Sequence, residues 1–259
     1  MITEFAKSYQ KKMFDDEVSK LYETDPEFVE RFDNFAFDEV INRTNHGEYG
    51  LDDKTRMMVI LSYLLGCQGI DEFRVMLQAA LNCDVTPVEI KEIVYQAVAY
   101  LGIGRVFPFL NAVNEIFEKR GIKLPLENQS HTTSDTRLQD GNQAQVDIFG
   151  EGMREFYTSG PEETRHINVW LAANCFGDYY TRSGLTLRQR ELITFCFISA
   201  QGGCEPQLTA HSVGNMKVGN SREFLINVIS AGIPFIGYPR SLNALQCVNN
   251  AAKQLASEK

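Results

Sequence analysis

His211 stands four residues after Gln207 and four before Asn215, a spacing that lines one face of a helix with polar groups. Glu205 falls in the first turn of that predicted helix, near the positive end of its dipole, where a carboxylate is favoured in its charged form. An imidazole with an acidic neighbour holds and releases a proton near neutral pH, which is what chemistry at a carbon beside a carbonyl requires. Cys204 directly precedes Glu205, and a thiol near an imidazole is a candidate nucleophile or peroxide-reducing group. Arg182, Arg190 and Arg240 offer guanidinium forks suited to an anionic substrate. His46, His131 and His166 lack the partner spacing of a metal site, so no metal is expected.

An internal repeat narrows the choice. Residues 51–101 fall without a gap on 185–235 after a shift of 134 positions, pairing Arg56 with Arg190, Gly69 with Gly203 and Glu89 with Glu223. Under that shift His211 is matched by Leu77 and Glu205 by Asp71. A purely structural histidine would more readily recur, so the chemistry is assigned to the second copy. Arg190 has a twin and reads as a structural ion-pair residue, whereas Arg240 has no clear twin and is the better substrate ligand.

The elements that must position these groups are helical. Thr86-Pro87-Val88-Glu89 is a capping box with proline at the first helical position, predicting a helix over about 87–101; its counterpart starts at Asn220. Both copies are expected to break at an Ile-Gly pair, Ile103-Gly104 and Ile236-Gly237, and to restart at Pro108 and Pro239. Lys54–Gly66 and Arg188–Ala200 are apolar nearly all round after a charged first turn, as central helices are. Gly202-Gly203-Cys204 reads as a break before a helix over about 205–216. No alternating strand pattern appears, so the fold class is all-α. The expected domains are a first unit at 1–122, a polar linker at 123–137 and a second unit at 138–259.

In composition, 44% hydrophobic and 23% charged residues are those of an ordinary globular chain. A net charge of −9 without a Lys/Arg stripe argues against a nucleic-acid partner. No apolar stretch is long enough to span a membrane and the first residues lack a signal-peptide layout, so a cytoplasmic location is expected. Six cysteines show no CxxC and read mostly as reduced, buried thiols.

Three segments, Leu185–Ile193, Glu205–His211 and Gly237–Ala244, resemble the carboxymuconolactone decarboxylase family in sequence and order; Leu51–Arg56 and Thr86–Ile93 resemble it more weakly. The resemblance implies an all-helical fold shared with alkylhydroperoxidase D proteins, commonly built into rings of six units, so that a two-unit chain would form a homotrimer. It implies cofactor-free loss of CO2 from a small anionic lactone, with Glu205 and His211 matching the family's acid/base pair. It also places Phe176–Arg182, including Tyr179, as a loop walling the pocket, with Gln207 lining it. The redox branch carries a CxxC before the histidine; here Cys204 takes the first place and Gln207 the second, which leaves a one-cysteine peroxidase or peroxiredoxin-like activity as the alternative, and a non-catalytic ring-forming or ligand-binding protein as a third.

Overall fold

The computed structural model describes residues 1–15 and 19–257, and every regular element among them is a helix. The first copy runs through α1 (Glu4–Phe14), α2 (Pro26–Asn34), α3 (Asp53–Cys67), α4 (Ile70–Asn82), α5 (Pro87–Leu101) and α6 (Ile103–Lys119). The second comprises α7 (Arg137–Phe149), α8 (Arg165–Trp170), α9 (Leu187–Gln201), α10 (Glu205–Lys217) and the long α11 (Arg222–Ser257). Helix α2 continues into a π-helical turn at Phe35–Glu39, and α8 into a longer one at Leu171–Tyr180. The repeat thus extends to an unusual helix type at matching places.

Helix starts follow local chemistry. The Thr86 side chain accepts from the Glu89 amide while Glu89 reaches back to the Thr86 amide, and Thr186 with Gln189 does the same for α9. Two boundaries differ from expectation. The break after α5 falls at Gly102 (φ 79°), and the helix restarts at Ile103 with Pro108 inside it; only the second copy breaks where the Ile-Gly pair predicts, at Gly237 (φ 76°). Asn220 does not cap α11; Ser221 accepts from the Phe224 amide instead, while Asn220 binds Arg188.

The central helices α3 and α9 pack directly on each other. A Cβ on Gly66 would come within 2.6 Å of Ala200 Cβ and of the Phe197 carbonyl oxygen. The repeat pairs Gly66 with Ala200, so a residue meets its own counterpart, which marks an approximate twofold axis between the copies. Around that axis the copies interlock. Helix α11 covers α3, with Tyr63 donating to the Val228 carbonyl at 3.3 Å; α5 covers α9, with Gln96 donating to the Arg190 carbonyl at 3.0 Å and to Thr194 Oγ1 at 2.8 Å. The apolar cores follow suit: Leu185, Ile193 and Phe197 belong to the core of the first copy, and Leu51, Val59 and Tyr63 to that of the second. Burial across the interlock stabilises both halves together.

The twin arginines sit at matched buried positions. Arg56 donates to Thr44 Oγ1 and the Leu51 carbonyl. Arg190, fully buried, donates to Glu92 Oε2 at 3.0 Å, Gln96 Oε1 at 2.9 Å and the carbonyls of Arg182 and Ser183. Each leaves its Nε without a hydrogen bond. Arg190 is therefore a structural ion-pair residue, and its partner comes from the other copy.

Candidate active site

Helix α10 carries His211 inward, and the carboxylate that meets it comes from α9. His211 Nδ1 lies 2.9 Å from Glu191 Oε2 and 3.2 Å from Oε1. A carboxylate only accepts, so Nδ1 carries the proton and donates, which leaves the lone pair on Nε2. Nε2 has no hydrogen-bond partner among the described residues, yet is not one of the fully buried orphan atoms; it is the ring nitrogen that reaches solvent. The His211 side chain is 11% exposed. It is held edge-on between Phe149 and Tyr100, each with its centroid 5.5 Å away.

Glu191 is fully buried and its oxygens are shared. Tyr180 donates to Oε1 at 2.8 Å and lies 2.7 Å from Thr194 Oγ1. The Tyr180 hydroxyl also meets that of Tyr100 at 2.8 Å. Burial pushes the phenols of Tyr180 and Tyr100 well above the ordinary tyrosine range, so both are neutral donors at physiological pH. Asn215 donates to the carbonyls of Glu191 and His211, tying α10 to α9 at this level. Gly214 makes room: a Cβ there would lie 2.7 Å from Glu191 Oε2 and from Phe149 Cε1.

Tyr180 is delivered by the π-helix, which runs against α7 with almost no separation. A Cβ on Gly141 would stand 2.0 Å from the Ala172 carbonyl oxygen, and one on Gly177 2.1 Å from that of Arg137. Arg137 caps the widened turn through the Ala173 carbonyl and an ion pair with Asp178 at 2.7 Å.

The arrangement revises several expectations. Glu205 is exposed in the first turn of α10, and no hydrogen bond joins it to His211. Six residues of α-helix turn it about 120° away from the ring, whereas Glu191 approaches from a different helix. Tyr179 is half-buried beside the network, and its neighbour Tyr180 enters it. The segment expected as a loop is the π-helix itself. The Arg182 fork is already taken by both oxygens of Glu92, at 2.9–3.0 Å, so it is not free to bind substrate. Arg240 is half-buried near Gly202 and Cys67, and no carboxylate holds it among the described residues. Gln207 is exposed one turn before His211. Cys204 is half-buried at the N-cap of α10, where the Gln201 amide nitrogen meets its sulfur at 3.1 Å; no bond links it to His211.

The missed residues have a signature in the repeat. Glu191 falls on Met57, Thr194 on Ile60 and His211 on Leu77. Glu191, Thr194 and His211, which the second copy contributes to the network from within the gap-free repeat, all fall on apolar residues of the first copy, where Met57 and Leu77 are core residues. The same comparison that isolates His211 therefore also isolates Glu191 and Thr194.

Comparison with known proteins agrees with this picture. The family model described as "Carboxymuconolactone decarboxylase family" matches residues 26–115 and again 169–250. The 4-carboxymuconolactone decarboxylase of Acinetobacter baylyi is 30% identical over 105 residues, covering 40% of this chain and 75% of that protein. A solved structure from Burkholderia xenovorans, provisionally described as a gamma-carboxymuconolactone decarboxylase subunit, superposes with a TM-score of 0.55 at 19% identity, over 96% of this chain and 98% of the other. With two successive family matches on two interlocked helical units, the chain belongs to the carboxymuconolactone decarboxylase family and is a tandem, two-copy member of it.

Proposed function

We propose that the protein is a cofactor-free carboxy-lyase acting on a small anionic lactone or related carboxylate, with His211 as the acid/base and Glu191 as the group that orients it and stabilises its charge. The single observation that supports this reading is the His211–Glu191 pair with Nε2 turned to solvent, present in the second copy alone. In the step proposed, the bond from the ring carbon to the substrate carboxylate breaks, CO2 leaves, and the electron pair passes into the conjugated lactone. Nε2, having taken a proton from solvent, then gives it to carbon and returns to its lone-pair form, and Glu191 stabilises the imidazolium that precedes the transfer. Arg240, free of carboxylate partners, is the guanidinium assigned to the substrate anion.

The test is decarboxylation of 4-carboxymuconolactone, followed as CO2 release. His211→Gln is expected to lower turnover ~10²–10⁴-fold, the usual contribution of a positioned proton donor, while Cys204→Ser leaves it unchanged. Turnover that survives His211→Gln overturns the mechanism; peroxide consumption that depends on Cys204 favours the thiol chemistry instead. The assembly that fits the reading is a trimer of two-unit chains. It is supported by large apolar side chains left exposed on α6, α8 and α11, including Ile103, Phe107, Trp170 and Leu242. A solution mass of one chain would remove it.

Among the described residues no helix is long and apolar enough to cross a membrane.

A further inference from the structure

A cleft of about 590 Å³ lies apart from His211, between α5, α6 and the segment that joins the two copies, and neither His211 nor Glu191 lines it. That volume is within the range of small-molecule sites. Its floor holds Lys91, 6% exposed, whose ammonium donates to the Asn114 side-chain oxygen and sits 5.8 Å from the centroid of the Tyr95 ring and 5.9 Å from that of Phe117. No carboxylate pairs with Lys91 among the described residues. Burial lowers its pKa from the ordinary lysine value, as expected of a cation without an anion.

A second cation lines the cleft. The Arg182 guanidinium lies 5.4 Å from the centroid of the Tyr95 ring, so Tyr95 has two cations beside its ring. Glu92 is already shared between Arg182 and Arg190, two guanidinium charges for one carboxylate. Glu127, the other acid of the cleft, is exposed on the joining segment. In a chain of net charge −9, this is a pocket whose buried charges sum to a positive excess. Apolar surface is supplied by Leu124 and Leu126, which pack onto the first core from the same segment.

We propose that this cleft is a second small-molecule site, taking an organic carboxylate whose anionic head meets Lys91 and whose flat apolar body lies between Tyr95 and the Leu124–Leu126 segment. The site stands independently of the lyase reading. A buried ammonium bound to one neutral amide gains a charge-assisted partner when a carboxylate enters, and water is displaced from the leucine side.

The experiment is a ¹⁹F-detected titration of the intact protein with 4-fluorobenzoate. Wild type is expected to show saturable broadening and shift of the fluorine signal. Lys91→Met, nearly matched in volume but uncharged, should weaken binding at least tenfold. Leu126→Glu, which brings a competing carboxylate to the rim, should weaken it similarly without touching the floor, and so covers the case in which Lys91→Met fails to fold. His211→Gln should bind within twofold of wild type. No saturable binding by wild type, affinity in both Lys91→Met and Leu126→Glu equal to that of wild type, or a loss confined to His211→Gln would each overturn the proposal.

Discussion

Replacing Glu191 by Gln keeps the shape of the side chain and removes its charge. In the native site His211 Nδ1 stands 2.9 Å from one carboxylate oxygen, with Tyr180 donating to the other. At an effective dielectric of about 20, unit charges some 3 Å apart attract by roughly 5 kcal/mol, and loss of one member of a buried pair is felt at about 3–5 kcal/mol. That attraction exists only while the imidazole is protonated, so its loss falls on the transition state. Dividing by 1.36 kcal/mol per decade gives a fall in kcat of roughly 10²–10⁴-fold. The assay pairs turnover of 4-carboxymuconolactone with ¹⁵N-detected tautomer analysis of His211, which in the native protein should show the proton on Nδ1. Glu191 and His211 act as one unit, so the double variant with His211→Gln should cost no more than His211→Gln alone. A folded Glu191→Gln protein with turnover within tenfold of wild type, or additive losses in the double variant, refutes the reasoning.

Three further outcomes follow from the packing. Copying the first repeat into the second with Glu191→Met, Thr194→Ile and His211→Leu should abolish turnover while thermal unfolding shows stability unchanged or raised by about 1–4 kcal/mol, because a buried ionic network is exchanged for apolar groups that the twin core already accommodates. Gly141→Ala should destabilise by about 1–3 kcal/mol or more in denaturant unfolding, since its Cβ would meet the Ala172 carbonyl at 2.0 Å and the backbone of the π-helix has to move; a neutral result would mean that α7 and the π-helix separate freely. The phenols of Tyr63 and Tyr180 are held well above 10 by burial, so the folded state favours their protonated form. Their contribution is complete below about pH 10 and is lost as pH rises beyond it, so stability should fall on the alkaline side with phenolate absorbance appearing only on unfolding; ionisation of all ten tyrosines in the native state would contradict it.

Much of the fold is legible in the chain because its cues are local. The Thr86–Glu89 capping box and the all-round apolarity of the two central helices need no tertiary information, and the gap-free shift by 134 shows that one unit occurs twice. The site was legible only to its first residue. Glu191 lies one turn into α9, just after a charged helix start that reads as solvated; here α9 is covered by α3, α5 and α10, and Arg190 and Glu191 are both fully buried. Glu205 looked suitable from the helix dipole, but helical phase alone separates it from His211. Which of Tyr179 and Tyr180 enters the network depends on the widened π-turn, and a sequence pattern tuned to 3.6 residues per turn assigns the wrong phase there.

The two copies differ in a way that a symmetric dimer of one unit could not. In such a dimer each position would serve both as site and as neighbour of the partner's site. Here the roles are divided. The second copy holds Glu191, Thr194 and His211, while the first has Met57, Ile60 and Leu77 at those positions. Conversely, the first copy sends Glu92, Gln96 and Tyr100 of α5 across the interlock to Arg190, Thr194 and Tyr180, and the second copy has Ile226, Ser230 and Pro234 at those places. The polar residues of the first copy point outward, into the second copy's network, whereas their twins Ile226, Ser230 and Pro234 lie half-buried outside either apolar core. The first copy lacks the His211–Glu191 pair and supplies a wall to it: Tyr100 closes one side of the His211 ring and bonds the tyrosine that holds Glu191. Fusion in one chain fixes which half plays which part, because the covalent link gives each α5–α9 contact a single partner and lets the two sides of the axis diverge independently.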